Sequence, residues 1–343
     1  MMEDVAIIGG LIGVQLVFAG NAVLLSYLMS LGINYLTLVI FTSFATFLVL
    51  LPVAFYYERC KWPKKVSFKL LMQLLLLSFG GVTMFQSLFL KGINLTSPAM
   101  GTAMPNLAPG LIFIIAWIFR LEKVKLRCTY SRVKIIGTFL CVLGALTMSI
   151  MQSISKPTPL NEGTIQLSSA PPNVTFDRQK LIGCLYLLVA VLILSCNIVL
   201  QAFTLGDFPA PVSLCALTSF FGTFMTAAVK LLEDHEFKTG WPLVGVGDMI
   251  GYSLLAGSVT GICLSFNGWA LEKRGPVLVS MFSPIGTVCS VFFSVVTLGD
   301  TINIGSSAGM LLMFTGLYFV LWAKGKEGYA NGGDLDAEKP LLS

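Results

Sequence analysis

Ten long apolar runs dominate the chain, and each reads as one helix crossing a bilayer. A span needs about 20 mainly apolar residues, because a helix rises ~1.5 Å per residue through a hydrocarbon core of roughly 30 Å. The runs occupy 5–29, 35–55, 68–90, 98–119, 133–151, 181–203, 211–229, 249–270, 276–298 and 302–323. They are continuously apolar rather than alternating and are about twice the length of a barrel strand, so helices are expected. The acidic Met1-Met2-Glu3-Asp4 start and the lack of a small-residue cleavage site after Leu11–Phe18 predict a retained first span.

The pattern also divides in two. The longest polar segment, 152–180, holds Pro157, Pro159, Pro171 and Pro172 among Ser, Thr and Asn, and reads as a linker outside the membrane. It separates a first unit, 1–151, from a second, 181–325, and a polar Gly-rich tail at 326–343 reads as disordered. Motifs recur in the same order on both sides. Thr42-Ser43-Phe44 in run two returns as Thr218-Ser219-Phe220 in run seven, and Val82-Thr83 in run three as Val259-Thr260 in run eight. Pro98 and Pro276 each open a run 24 residues before an acid, Glu122 and Asp300; Gly137 and Gly144 are seven apart, as are Gly309 and Gly316. Five spans per half is an odd number, so the second copy enters the membrane from the other side. The repeat is inverted, an arrangement that places a solute between the halves near the midplane.

Composition and charge refine this picture. The 343 residues are 55% hydrophobic and 11% charged, against roughly 25% charged in soluble domains. Of the 22 Lys and Arg, 16 fall on the side that holds both termini in a ten-span scheme and 6 on the other, which predicts cytosolic termini. The net charge of +5 is then a matter of topology, with no nucleic acid implied. The sequons at Asn94 and Asn173 fall on the less basic side; Asn94 lies close to the membrane, which leaves Asn173 as the glycosylation candidate. Plasma and vacuolar membranes both remain open, and Leu341-Leu342 after Glu338 resembles a di-leucine sorting signal. The eight cysteines include no C-x-x-C pair, and neither disulfide framework nor zinc site is expected. Glu233-Asp234-His235-Glu236 reads as a solvated loop rather than a metal site.

The interior turns of the ten runs contain no Asp, Glu, Lys, Arg or His. Such groups serve proton relays and ion-coupled pumps, so a facilitator is favoured. A neutral or zwitterionic solute can be held by amides and helix-end dipoles instead. The candidates are Gln15, Asn21, Gln86, Asn106, Asn197 and Asn267, each of which could equally be hydrogen-bonding glue between helices. Pro105, Pro109 and Pro284 are candidate helix breaks, since proline frees a backbone carbonyl, and Trp269 is an interfacial aromatic or a gate. Glycine pairs at 9/13, 247/251, 257/261 and 305/309 predict close helix packing, with a homo-oligomer as the alternative. An enzyme is not expected: the only histidine, His235, lies in a loop, and no buried acid or paired nucleophile accompanies it. No cofactor is implied, and the partners expected are a small solute and the lipid bilayer.

Thr96-Ser97-Pro98-Ala99 through Ala103-Met104-Pro105-Asn106-Leu107-Ala108-Pro109, followed by Leu121-Glu122-Lys123-Val124, resembles the fourth span of plant EamA-type transporters. This is the nodulin-21-like or walls-are-thin-related group, also called UMAMIT proteins. Lys273-Arg274-Gly275-Pro276-Val277, Phe282-Ser283-Pro284 and Leu298-Gly299-Asp300 carry the likeness into the second half. It implies an all-α drug/metabolite-transporter fold of ten transmembrane helices in two inverted five-helix repeats. It also implies bidirectional facilitated movement of amino acids, with auxin-like substrates in some members; proton-coupled export of auxin-like or other metabolites is the competing reading, ahead of a transporter-derived sensor or a membrane enzyme. Two positions depart from the group: Leu24, Leu25 and Ser26 stand where a basic residue is expected, and Asp300 stands in place of Glu.

Overall fold

A computed structural model of the chain describes residues 2–30, 35–62, 67–95, 104–119, 129–155, 178–233, 246–298 and 304–330. They form helices joined by short turns, with no strand among the described residues. The helices answer the ten apolar runs one to one. We label them α1 (Met2–Ser30), α2 (Tyr35–Tyr57), α3 (68–95), α4 (104–118), α5 (Thr129–Ser155), α6 (Arg178–Asp207), α7 (Pro211–Glu233), α8 (Val246–Arg274), α9 (276–298) and α10 (Ile304–Ala330). Five of them are long and apolar enough to cross a bilayer on their described residues alone, and shorter apolar helices include parts of α1, α4, α9 and α10.

Most of the helices outrun the apolar stretches. α5 reaches Ser155 and α6 begins at Arg178, so both ends of the expected linker are helical; 156–177, with Asn173, lie outside the described residues. α10 runs on to Ala330 inside the expected tail, and 331–343 lie outside. The corrections share a cause: no proline interrupts 152–155 or 324–330, and i→i−4 bonding continues into the polar interface once started.

The packing carries the internal repeat. Exchanging α1–α5 with α6–α10 relates several of its helix pairs: α3 against α6 corresponds to α8 against α1, α3 against α7 to α8 against α2, and α4 against α6 to α9 against α1. The pairs α2 with α7, α4 with α9 and α5 with α10 map onto themselves. At the α5–α10 seam the four repeat glycines face one another. A Cβ on Gly137 would stand 2.8 Å from the Gly316 carbonyl oxygen, and one on Gly144 would stand 2.7 Å from that of Gly309. Gly257 similarly meets Ala45 and the Thr42 carbonyl of α2, while the Thr46 hydroxyl donates to the Gly257 carbonyl at 2.9 Å.

The other glycine pairs behave differently. A Cβ on Gly9, Gly13, Gly247 or Gly251 would have no neighbour within 4 Å, so these pairs seat no described helix. Spacing alone does not fix which face of a helix meets a neighbour. The expectation of an uncharged interior also needs correction at the helix ends, where Glu58, Lys134 and Lys230 are only 6%, 2% and 5% exposed. Each lies at or just beyond the end of an apolar run, and the neighbouring helix covers it.

Candidate functional site

Among the described residues α3, α4 and α9 are irregular, and sequence explains each irregularity. In α3 the regular helix Phe68–Ser78 gives way to a π-helical turn, Phe79–Met84, before resuming as Phe85–Leu95. Adjacent Gly80 and Gly81 tolerate this widening, and such turns free carbonyls from the i→i−4 ladder. The Asn197 side chain of α6 reaches into the turn, its Nδ2 donating to the Leu77 carbonyl at 3.1 Å. It passes so close to the glycines that a Cβ on Gly81 would lie 2.1 Å from Nδ2. Gly81 sits near the middle of α3, twelve residues from Lys69, which a rise of ~1.5 Å per residue puts roughly 18 Å in, close to mid-membrane.

The second half carries the counterpart. Asn21 of α1 directs Nδ2 at Thr260 Oγ1 of α8 at 3.4 Å. The two asparagines are 176 residues apart, the spacing that also relates Thr42 to Thr218. Each comes from the first helix of one half and reaches the third helix of the other.

α9 is broken, and α4 changes helical type within its described residues. There α4 is a 3-10 turn over Met104–Leu107 and then α-helical over Ala108–Ile118, with Pro109 in the first α-helical turn; 98–103 lie outside the described residues. α9 stops at Met281, turns at Phe282 and restarts as Ser283–Leu298 with Pro284 as its second residue. Both prolines stand where an N–H would have no intrahelical partner, and both are buried. Discontinuous helices of this kind expose backbone dipoles at membrane depth.

The remaining candidates lie on α1, α3, α4 and α8. Gln15 of α1 is 8% exposed, and its Oε1 would lie 2.6 Å from a Cβ on Gly286, two residues beyond Pro284. Asn267 of α8 is half-buried, and its buried Oδ1 accepts no hydrogen bond. Gln86 lies half-buried just past the π turn. Pro105 and Asn106 belong to the 3-10 turn of α4, and the Asn106 side chain lies outside the described residues. Trp269 packs in the apolar cluster that holds Phe282, the turn residue of α9. Its ring is 5.5 Å from that of Phe266, and both pack on Ile7, Leu11, Ala270, Leu278 and Phe282.

Some central polar contacts were not singled out from sequence. Thr83 Oγ1 and Thr226 Oγ1 approach to 3.2 Å between α3 and α7. A carbon-lined cavity lies outside this constellation. It has about 480 Å³, lies between α4, α5 and Leu188 of α6, and is lined almost wholly by carbon, including Trp117, Phe139 and Val142. Its one hydroxyl, that of Thr138, is already donated to the Lys134 carbonyl. A polar solute would find no partner there.

Comparisons with known proteins agree with this architecture. Residues 181–322 match the EamA-like transporter family. Two WAT1-related proteins of Arabidopsis thaliana are 56% and 50% identical to the chain, covering 100% and 99% of it and 94% of their own length in each case. Protein WALLS ARE THIN 1 of the same plant is 30% identical over 91% of this chain and 82% of its own. One protein of known crystal structure superposes with a TM-score of 0.65 at 16% identity, over 92% of this chain and 98% of that one, a likeness of fold.

Proposed function

From its place in the WAT1-related family of EamA-like membrane transporters, to which the chain belongs, we propose that it is a bidirectional facilitator of amino acids or related small zwitterionic solutes. The multi-pass transporter assignment is the family's; the solute and the mechanism are our reading.

One observation carries it. Two pseudo-equivalent uncharged amides, Asn21 and Asn197, each cross from the first helix of one half to the third helix of the other, Asn197 at a π turn, and Gln15 reaches Gly286 just beyond the break in α9. Amides and backbone dipoles can meet both an ammonium and a carboxylate without a fixed counter-charge. A site for a phosphorylated solute would instead call for Lys or Arg. Asn267 Oδ1, like side-chain oxygens of Gln73, Ser87, Ser253 and Ser265, is buried with no partner among the described residues, which leaves it open as an acceptor for a solute.

In this reading the two inverted halves rock about the α5–α10 seam and expose the amides to one side and then the other. The 16 to 6 division of Lys and Arg supports cytosolic termini, in a plasma or vacuolar membrane. Uptake and efflux of a panel of labelled amino acids and indole acids in proteoliposomes test the proposal. Saturable flux in both directions is expected; flux equal to that of empty vesicles across the panel overturns it.

A further inference from the structure

The turn between α6 and α7 is gripped by the turn between α2 and α3. Glu58, at the end of α2, is 6% exposed and points across the boundary between the halves. Its Oε2 accepts from the Ser213 backbone N–H at 2.7 Å and from the Ser213 hydroxyl at 2.8 Å, while Oε1 accepts from the Val212 N–H at 3.2 Å. These are first-turn donors of α7, so a carboxylate from one half caps a helix of the other. Trp62 adds an indole N–H to Ser213 Oγ at 2.8 Å. On the other side of the turn, Asp207 takes Lys69 Nζ at 2.8 Å and Gln73 Nε2 at 3.2 Å. That ion pair is solvent-exposed and contributes little by itself. The buried Glu58 contacts carry the grip, because charge-assisted bonds in a covered site are about twice as strong as neutral ones.

Directly beneath the grip lies an apolar plug built from both halves. Leu70, Leu74 and Leu77 of α3 pack with Leu205 and Phe208 from the end of α6, Ala210, Leu214 of α7 and Leu271 of α8. Along α3 the order is the grip at 69 and 73, the plug at 70, 74 and 77, and then the π turn that receives Asn197. Two further apolar clusters join the halves at this face, one from α4, α9 and α10 and one from α1, α8 and α9. At the opposite face α2 and α7 are tied by Lys230 and Thr37, so the grip is not the only bond between this helix pair.

We propose that Glu58, with Ser213 and Trp62, is the latch that holds the transport pathway closed on this face, and that its release is a step of the transport cycle. The inference rests on the alternating-access reading above. It assigns Glu58 a positioning role: it touches no solute and acts through the α6–α7 turn. When the latch opens, the first-turn N–H groups of α7 become wet, and Leu214, which follows Ser213 and belongs to the plug, is released with them.

The test uses the full chain in proteoliposomes, with spin labels on native Cys60, which is exposed in the α2–α3 turn, and on Pro209→Cys in the α6–α7 turn; Cys128, Cys184, Cys196 and Cys289 are replaced by serine. The distance between the labels reports the grip, and amino-acid exchange is measured on the same samples. Glu58→Ala is expected to raise the long-distance population at least about threefold, Ser213→Ala to raise it less, and Glu58→Gln, which keeps an acceptor oxygen, to fall between wild type and Glu58→Ala. Should Glu58→Ala fail to fold, the graded response of the two milder variants decides. Unchanged distances in every variant, with exchange intact, overturn the latch and leave the transporter reading standing. If instead the wild type exchanges no solute at all, the transport reading falls and takes the gating role with it.

Discussion

Asn197 and Leu77 are joined across the two halves of the molecule: the amide of α6 donates to a carbonyl at the edge of the π turn in α3 at 3.1 Å. The pseudo-equivalent Asn21 makes only a 3.4 Å contact with Thr260. The same residue type in the same place in each repeat is therefore held tightly on one side and loosely on the other. The asymmetry predicts unequal mutants. Asn197→Ala should lower thermal stability in detergent by roughly 0.6–1.7 kcal/mol, the range for interhelical hydrogen bonds in membranes, and Asn21→Ala should lower it by less. Equal losses would mean that the two contacts are alike.

Gly81 makes room for that amide, since an added Cβ would lie 2.1 Å from Asn197 Nδ2. Gly81→Ala is therefore expected to impair both stability and flux, and Asn197→Ala in the same chain should relieve part of the damage. A double-mutant cycle in thermal unfolding should show coupling of about 1 kcal/mol or more. Additive effects would place the two residues out of contact.

The α5–α10 seam predicts a purely structural defect. Gly144→Leu forces a side chain against the Gly309 carbonyl, now 2.7 Å from the would-be Cβ, and overpacking of this kind costs about 1–3 kcal/mol or more. Gly13→Leu, at a position with open space around it, serves as the control and should change stability little. Thermal unfolding of the two variants side by side checks both.

Asn267 separates stability from function. Its Oδ1 is buried and unpartnered, so Asn267→Leu should leave stability unchanged or raise it, because an uncompensated acceptor is removed. If the amide meets the solute, the same variant should lose flux about tenfold, which corresponds to ~1.4 kcal/mol. A stable variant with normal KM and rate would assign Asn267 to packing.

Much of the fold was legible in the sequence, for physical reasons that differ from one feature to another. Span positions followed from apolar length, because a bilayer leaves a backbone few alternatives. The break in α9 followed from Pro284, whose missing N–H acts locally. The repeat glycines 137, 144, 309 and 316 were visible as spacing, but only packing showed that they face one another. Asn21 and Asn197 were each named as polar residues in apolar runs, while their equivalence went unread, although they share the 176-residue spacing of the Thr-Ser-Phe motifs. Glu58 could not be read at all. It looks like an ordinary interfacial acid, and what makes it different is a helix N-terminus 154 residues away in the chain.

The most direct test of the central claim is counterflow. Proteoliposomes preloaded with an unlabelled amino acid should take up the labelled form faster than empty-loaded ones, and should do so equally with and without a protonophore, because a facilitator exchanges solute without drawing on a pH gradient. Absence of trans-stimulation for every amino acid tested, or its collapse when the pH gradient is removed, would contradict the account.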